Sequence, residues 1–331
     1  DGTALTKNSY TSTDPAAGDT LASVTVTGSQ KDVGTSDNVA SNAKLMRGDR
    51  DVTANYAIEY LPGTLTVTPV TDKVTVTITG YTDTVTYNGA ERSVTGYETA
   101  ISNPLYTAKD FTFSGEAIAK GTDADTYKMN LTAAQFENTS HNFTNVEFTV
   151  TDGWLKIDPM ALTITAGSDS KAYDGTALTK NSYTSTAPAA GDTLASVTVT
   201  GSQKDVGSSD NVASDAKLMR GDRDVTANYA IEYVNGKLTV TKNESAKLTA
   251  DAYRGVYDGA AHDAVVKTTI TGAVEGDSWT YAYSLDGENY TAELPQVKNV
   301  GAYPVWVKAT NDNYVDLVTV VTEIGRAHVR T

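Results

Sequence analysis

The residues able to do chemistry in this chain are few histidines, many carboxylates and two short arginine-bearing turns. The histidines are His141, His262 and His328. They are far apart, so no histidine-centred triad or metal cluster is predicted. Carboxylates abound, but at a net charge of −15 they read as solvated turn residues. Asp123 with Asp125, and Asp286 with Glu288 and Asn289, offer the oxygen ligands calcium takes; neither set completes a calcium-loop pattern. No catalytic role, cofactor or resident metal is expected.

Arg47-Gly48-Asp49 and its copy Arg220-Gly221-Asp222 form the sharpest short motif. An exposed Arg-Gly-Asp turn can bind an integrin, the carboxylate reaching the receptor's metal and the arginine an acidic groove. The glycine favours a tight, exposed turn. The competing reading is a plain loop before the strand that begins near Asp51 or Asp224. Trp306 alternates with Val305 and Val307 and shares its face with Lys308, so it is the candidate exposed aromatic for stacking on a sugar ring. Trp279, Tyr281 and Tyr283 share one strand face, which reads as core because large aromatics dominate burial. Trp154 has Thr64 and Lys237 as repeat counterparts, so it is expected to face outward. There it covers a seam between modules or contributes to a ligand surface.

These residues sit on a repeated framework. Residues 1–68 recur at 174–241, differing only at Asp14/Ala187, Thr35/Ser208, Asn42/Asp215, Leu61/Val234, Pro62/Asn235 and Thr64/Lys237. Tyr-Asp/Asn-Gly recurs at Tyr87-Asn88-Gly89, Tyr173-Asp174-Gly175 and Tyr257-Asp258-Gly259, with Asp1-Gly2 as a remnant. The interval of about 85 residues is a small domain rather than a solenoid unit. Asn-Tyr/Phe recurs at Asn55-Tyr56, Asn142-Phe143, Asn228-Tyr229 and Asn313-Tyr314. Gly-x-Leu recurs at Gly63, Gly153 and Gly236. The constant order gives four modules: 1–69, 70–159, 160–242 and 243–324.

Apolar residues alternate with threonine at Val74/Val76/Ile78, Leu162/Ile164, Val24/Val26 and Leu65/Val67. Period two with one apolar face predicts half-buried antiparallel strands. Helical signal is confined to Leu131–Phe136 and Asn38–Met46. The expected fold is all-β: a linear array of small β-grasp-like or Ig-like modules, monomeric and elongated.

The acidic charge argues against nucleic acid and anionic membrane surfaces as partners, since both require a basic patch. The absence of cysteine excludes disulfides and thiolate metal sites. No apolar run is long enough to span a membrane. The chain starts inside a repeat whose second copy is preceded by Leu162-Thr163-Ile164-Thr165-Ala166-Gly167, so the first copy is expected to lack its opening strand. Residues 325–331 fit no repeat and resemble the in-frame translation of a sequencing adapter, so they are expected to be an artefact.

Together, Leu162–Ala166, Lys171-Ala172-Tyr173-Asp174-Gly175, Asp224-Val225-Thr226, Asn228-Tyr229 and Gly236–Val240 resemble the MBG/YDG-type repeats of large bacterial surface proteins. The second module, with Asp110–Gly115 and Gly121–Tyr127, resembles another subtype. The last, with Tyr283–Gly287 and Val300–Tyr303, looks more Ig-like. The resemblance implies small β-modules in wall-associated proteins of Gram-positive bacteria, often described as adhesins. It supplies no catalytic residues. The function expected is a stalk or adhesion repeat region on the cell surface, meeting host glycans, mucin or matrix protein. The alternatives are glycan-binding modules proper, or a non-catalytic region of a secreted polysaccharide-active enzyme.

Overall fold

A computed structural model describes residues 1–324; the stretch 325–331, with its suspected adapter sequence and His328, lies outside the described residues. The chain forms two compact units, Asp1–Asp158 and the unit beginning at Pro159. Both are all-β. Among the described residues the only helical segments are three single turns, Thr53–Asn55, Ala133–Gln135 and Thr226–Asn228. None is long and apolar enough to cross a membrane.

Two local expectations change. Asn38–Met46 is not helical but the middle of a fourteen-residue strand, Gly34–Arg47. Its first part pairs with Gly63–Val67 and its remainder with Thr20–Thr27, so ladders at both ends override a weak helical pattern. The partner changes between Asn38 and Val39, and Asn42, with a φ of 52°, falls at a register shift in the ladder with Thr20–Thr27. Leu131–Phe136 gives one tight turn, closed by the Thr132 N–H donating to the Gln135 side chain at 2.7 Å.

The strand pairing is also not antiparallel throughout. Val74–Gly80 lies between Val146–Thr151, parallel to it, and Tyr97–Ile101, antiparallel. Met160–Ala166 likewise lies between Tyr229–Val234, parallel, and Tyr183–Ser185, antiparallel. The following strands repeat the parallel pairing, Thr82–Thr86 with Trp154–Asp158 and Asp169–Ala172 with Gly236–Thr241. Alternation reports which face is buried and not the direction of the neighbour, so the sequence pattern is satisfied either way. Val74, Val76 and Ile78 are fully buried against Tyr106, Phe111, Phe136 and Phe143. In the second unit, Leu238 and Val240 share one core with Leu248, Val305, Val307 and Tyr314, so the core runs across the 242/243 boundary.

The repeated landmarks have structural roles. Gly2, Gly89, Gly175 and Gly259 all take positive φ, 76–83°. The Asp or Asn before each accepts the backbone N–H two residues on, at 2.9–3.0 Å, at Thr3, Ala90, Thr176 and Ala260. Such an Asx turn needs a short acceptor side chain and then a residue free of Cβ strain. In the Asn-Tyr landmark the tyrosine hydroxyl donates to a turn aspartate: Tyr56 to Asp19 at 2.7 Å, Tyr229 to Asp192 at 2.6 Å and Tyr314 to Asp277 at 2.6 Å.

In the second and fourth modules the asparagine of that landmark joins the module to the one before it. Within the first unit, the Asn142 side-chain oxygen accepts the Val33 N–H at 2.7 Å and its amide donates to Asp32 at 3.0 Å. Within the second, Asn313 accepts from Val206 at 2.8 Å and donates to Asp205 at 3.1 Å. Parallel bridges from Val70 to Phe143 and from Asn243 to Tyr314 sit beside the two joints.

Candidate functional site

The Arg-Gly-Asp segments are the tips of hairpins. Arg47 faces Arg50 across the first and Arg220 faces Arg223 across the second. Gly48 and Gly221 have φ of 56° and 58°, and nothing would lie within 4 Å of a Cβ on either. Asp49 and Asp222 are exposed, while the arginines turn back. Arg47 is ion-paired with Asp19, and Arg220 Nε lies 2.6 Å from Asp192 and its Nη2 3.0 Å from the Ala190 carbonyl. The Asp19 and Asp192 side chains are 5% and 0% exposed. The Arg47 guanidinium, followed by the Tyr56 hydroxyl, holds the Asp19 carboxyl below its ordinary pKa. Presenting the arginine to a receptor would strand a buried carboxylate without its cation, which is costly. The tips therefore offer an aspartate, with the arginine committed internally.

Trp306 lies on Ala302–Thr310 between Val305 and Val307, both fully buried, and is itself half-buried. Its ring lies over the turn at Gly287, where a Cβ would come within 3.1 Å of it. Across the sheet it faces Ser284 and Val320. Lys308 follows on the same face, 2.6 Å from Asp316. Val318 and Val320 are about half exposed there, so Trp306 belongs to a small mixed apolar face. Trp279, Tyr281 and Tyr283 pack against the core, with Trp279 4.7 Å from the Tyr314 ring. Trp154 is half-buried at the start of Trp154–Asp158, beside Thr82 and Lys128.

The acidic turn at Asp286 is satisfied from within. Its carboxylate accepts from the Ser284 hydroxyl at 2.7 Å, the Glu288 and Asn289 N–H groups at 2.8 Å and the Asn289 amide at 2.6 Å. These donors, Asn289 first, hold its pKa well below the usual range. His262 stacks on Tyr253 at 4.2 Å and meets Asp258 at 3.0 Å, which ties it to the Asx turn.

The remaining feature is one that sequence reading did not single out. An open groove of about 1070 Å³ runs along the first module, lined among others by Tyr10, Asn38, Ala40, Leu45, Tyr56 and Ile58.

A scan against known protein families and a search of curated proteins find no match. Among solved structures the chain is similar to three cadherin-23 repeats from mouse, EC22-24, at 14% identity, covering 77% of this chain and all of that one, with a TM-score of 0.25. It is also similar to Drosophila OTK extracellular domains 3-5, at 8% identity, covering 78% and 99%, with a TM-score of 0.22. A third is Dscam1 isoform 9.44, N-terminal four Ig domains, at 11% identity, covering 88% and 79%, with a TM-score of 0.24. Scores of this size establish neither a common topology nor a common function.

Proposed function

We propose that this chain is a non-catalytic repeat region of a bacterial cell-surface protein, of the MBG/YDG kind, which spaces and repeatedly presents other binding surfaces. The observation that supports this reading most is the joint between modules. Equivalent asparagines accept the valine N–H and donate to the aspartate carboxylate of the same Asp-Val pair in both units. Such a joint holds the two modules of each unit in a defined arrangement, as in repeat proteins stabilised by neighbour interfaces. The carboxylates of Asp19, Asp174, Asp192 and Asp286 are engaged in turns and internal ion pairs.

A test places the chain between a surface anchor and a tip domain of known affinity on a bacterial cell. Its deletion should reduce capture of a bulky immobilised ligand while leaving capture of a small soluble one unchanged. Equal capture of both with and without the chain would overturn the spacer reading. A second reading, direct glycan binding, is favoured by the Trp306, Val318 and Val320 face. It predicts binding to a glycan panel that is lost in Trp306→Ala at unchanged melting temperature.

A further inference from the structure

In the second and third modules the opening and closing stretches run side by side through two sheets in a single register. Val74 faces Val146 in the first ladder of the second module and Thr86 faces Asp158 in the next, so partners stay 72 residues apart throughout. In the third module Met160 faces Tyr229 and Ala172 faces Thr241, a constant separation of 69. The ladders hold six and five paired positions in the second module, and six and four in the third.

The passage from one sheet to the next is made at glycines. A Cβ on Gly80 would meet the Gly153 nitrogen at 2.3 Å, and one on Gly236 would meet the Gly167 oxygen at 2.3 Å. Beside them the Trp154 N–H donates to the Tyr81 carbonyl at 3.2 Å, and the Lys237 N–H to the Ser168 hydroxyl at 2.9 Å. The two stretches therefore stay in contact between ladders, which gives the Gly-x-Leu landmark at Gly153 and Gly236 a structural role. Each stretch is also held from its far side. Val74–Gly80 has Tyr97–Ile101 on its other edge, and Trp154–Asp158 has Thr126–Lys128. Met160–Ala166 has Tyr183–Ser185, and Gly236–Thr241 has Gly207–Arg220. Val76, Ile78, Leu155, Ile164 and Leu238 are fully buried, so the apolar side of each ladder is closed to water.

Tension along the chain draws the opening strand of a module toward its own N-terminus and the closing strand toward its C-terminus. For parallel neighbours these directions are opposite along one axis, so the ladder is loaded in shear and its evenly spaced bonds share the load. In an antiparallel pair both pulls leave from the same end and peel the ladder one bond at a time. We infer that the second and third modules carry tension, each through a parallel clamp made of its opening and closing strands. The clamp is a property of the fold, whereas its use as a load-bearing tether on a cell surface rests on the spacer reading.

The chain has no cysteine, so introduced pairs define the points of pull in the full chain. Asp72→Cys with Pro159→Cys loads the second module in shear. Asp72→Cys with Thr144→Cys, both at one end of the same ladder, peels it. All three positions are exposed. In single-molecule force spectroscopy the shear pair should rupture at a force at least about twice that of the peel pair, because forced unfolding follows the unfolding barrier and several ladder pairs must then break together. The event should release about 300 Å of extended chain. Pro159→Cys with Lys242→Cys, against Pro159→Cys with Ala227→Cys, repeats the comparison in the third module and keeps it decisive if a cysteine disturbs the second. A shear force no higher than the peeling force overturns the clamp in the module concerned. That failure is distinct from failure of the spacer reading: a chain that improves capture of a bulky ligand yet ruptures equally in both directions is a spacer without a clamp.

Discussion

Asn313→Ala tests the joint directly. Asn313 is half-buried, accepts from Val206 N–H at 2.8 Å and donates to Asp205 at 3.1 Å. Truncation removes one bond between neutral groups and one to a carboxylate, and leaves the half-buried Val206 N–H without its acceptor. At about 1 kcal/mol for the neutral bond and somewhat more for the charged one, discounted for the exposure of Asp205, the loss is about 2 kcal/mol. For a unit of this size that lowers the midpoint of the corresponding thermal transition by about 4–8 °C. Differential scanning calorimetry of the full chain reads the shift, and urea titration checks it. Asn313→Asp keeps an acceptor for Val206 but sets a second carboxylate against Asp205, so it should be no better than alanine at neutral pH. A double-mutant cycle with Asp205→Ala should return about 1 kcal/mol of coupling. A loss below about 0.3 kcal/mol for Asn313→Ala, with unchanged exchange at the Val206 amide, would refute the joint.

Three further outcomes follow from the same structure. Asp19 has its pKa lowered by Arg47 and Tyr56, so its stabilisation is present above the ordinary carboxylate pKa and is lost as pH falls through the lower folded value; Asp19→Asn should flatten the acid limb of melting temperature against pH. Tyr314 is pushed up to about 12 by burial and by its bond to Asp277. Its contribution is therefore complete below pH about 10 and lost as pH rises through the folded value, so a phenolate absorbance titration should show a late-titrating fraction that shrinks but persists in Tyr314→Phe, because burial also pushes Tyr106 up to about 12. Gly221→Ala should cost about 1–2 kcal/mol, the strain of a positive φ alone, whereas Gly175→Ala should cost more because its Cβ also meets Val274 at 2.6 Å; equal melting temperatures for the two variants would contradict this.

The sequence made much of the architecture legible. Alternation of branched apolar residues with threonine marks Val74–Gly80 and Met160–Ala166 as strands with one buried face, because side chains point to opposite faces at successive positions. The Asx-Gly pairs mark turns, because few other residues satisfy both the hydrogen bond and the positive φ. The Trp279, Tyr281 and Tyr283 set could be assigned to the core side from its spacing, whereas Trp306, read as an exposed aromatic, is half-buried over the Gly287 turn. The direction of strand pairing was not legible, nor was the strand character of Gly34–Arg47, since both depend on which distant segment supplies the ladder. The internal commitment of Arg47 was hidden for the same reason: Asp19 is 28 residues away.

What the sequence determined by itself is therefore local and periodic: the repeat, the all-β character, the turns and the candidate apolar faces. Tertiary structure alone decided the contacts that give those residues their roles. Asn142 and Asn313 became joints only through partners more than 100 residues away in sequence. Most clearly, Asn38 and Asn211 share nearly the same local sequence, yet the latter is fully buried and the former only partly. Burial is a property of what packs across a surface, and at Asn211 it comes from Met160–Ala166 beside Tyr229–Val234 and from the Gly167 carbonyl that its amide meets.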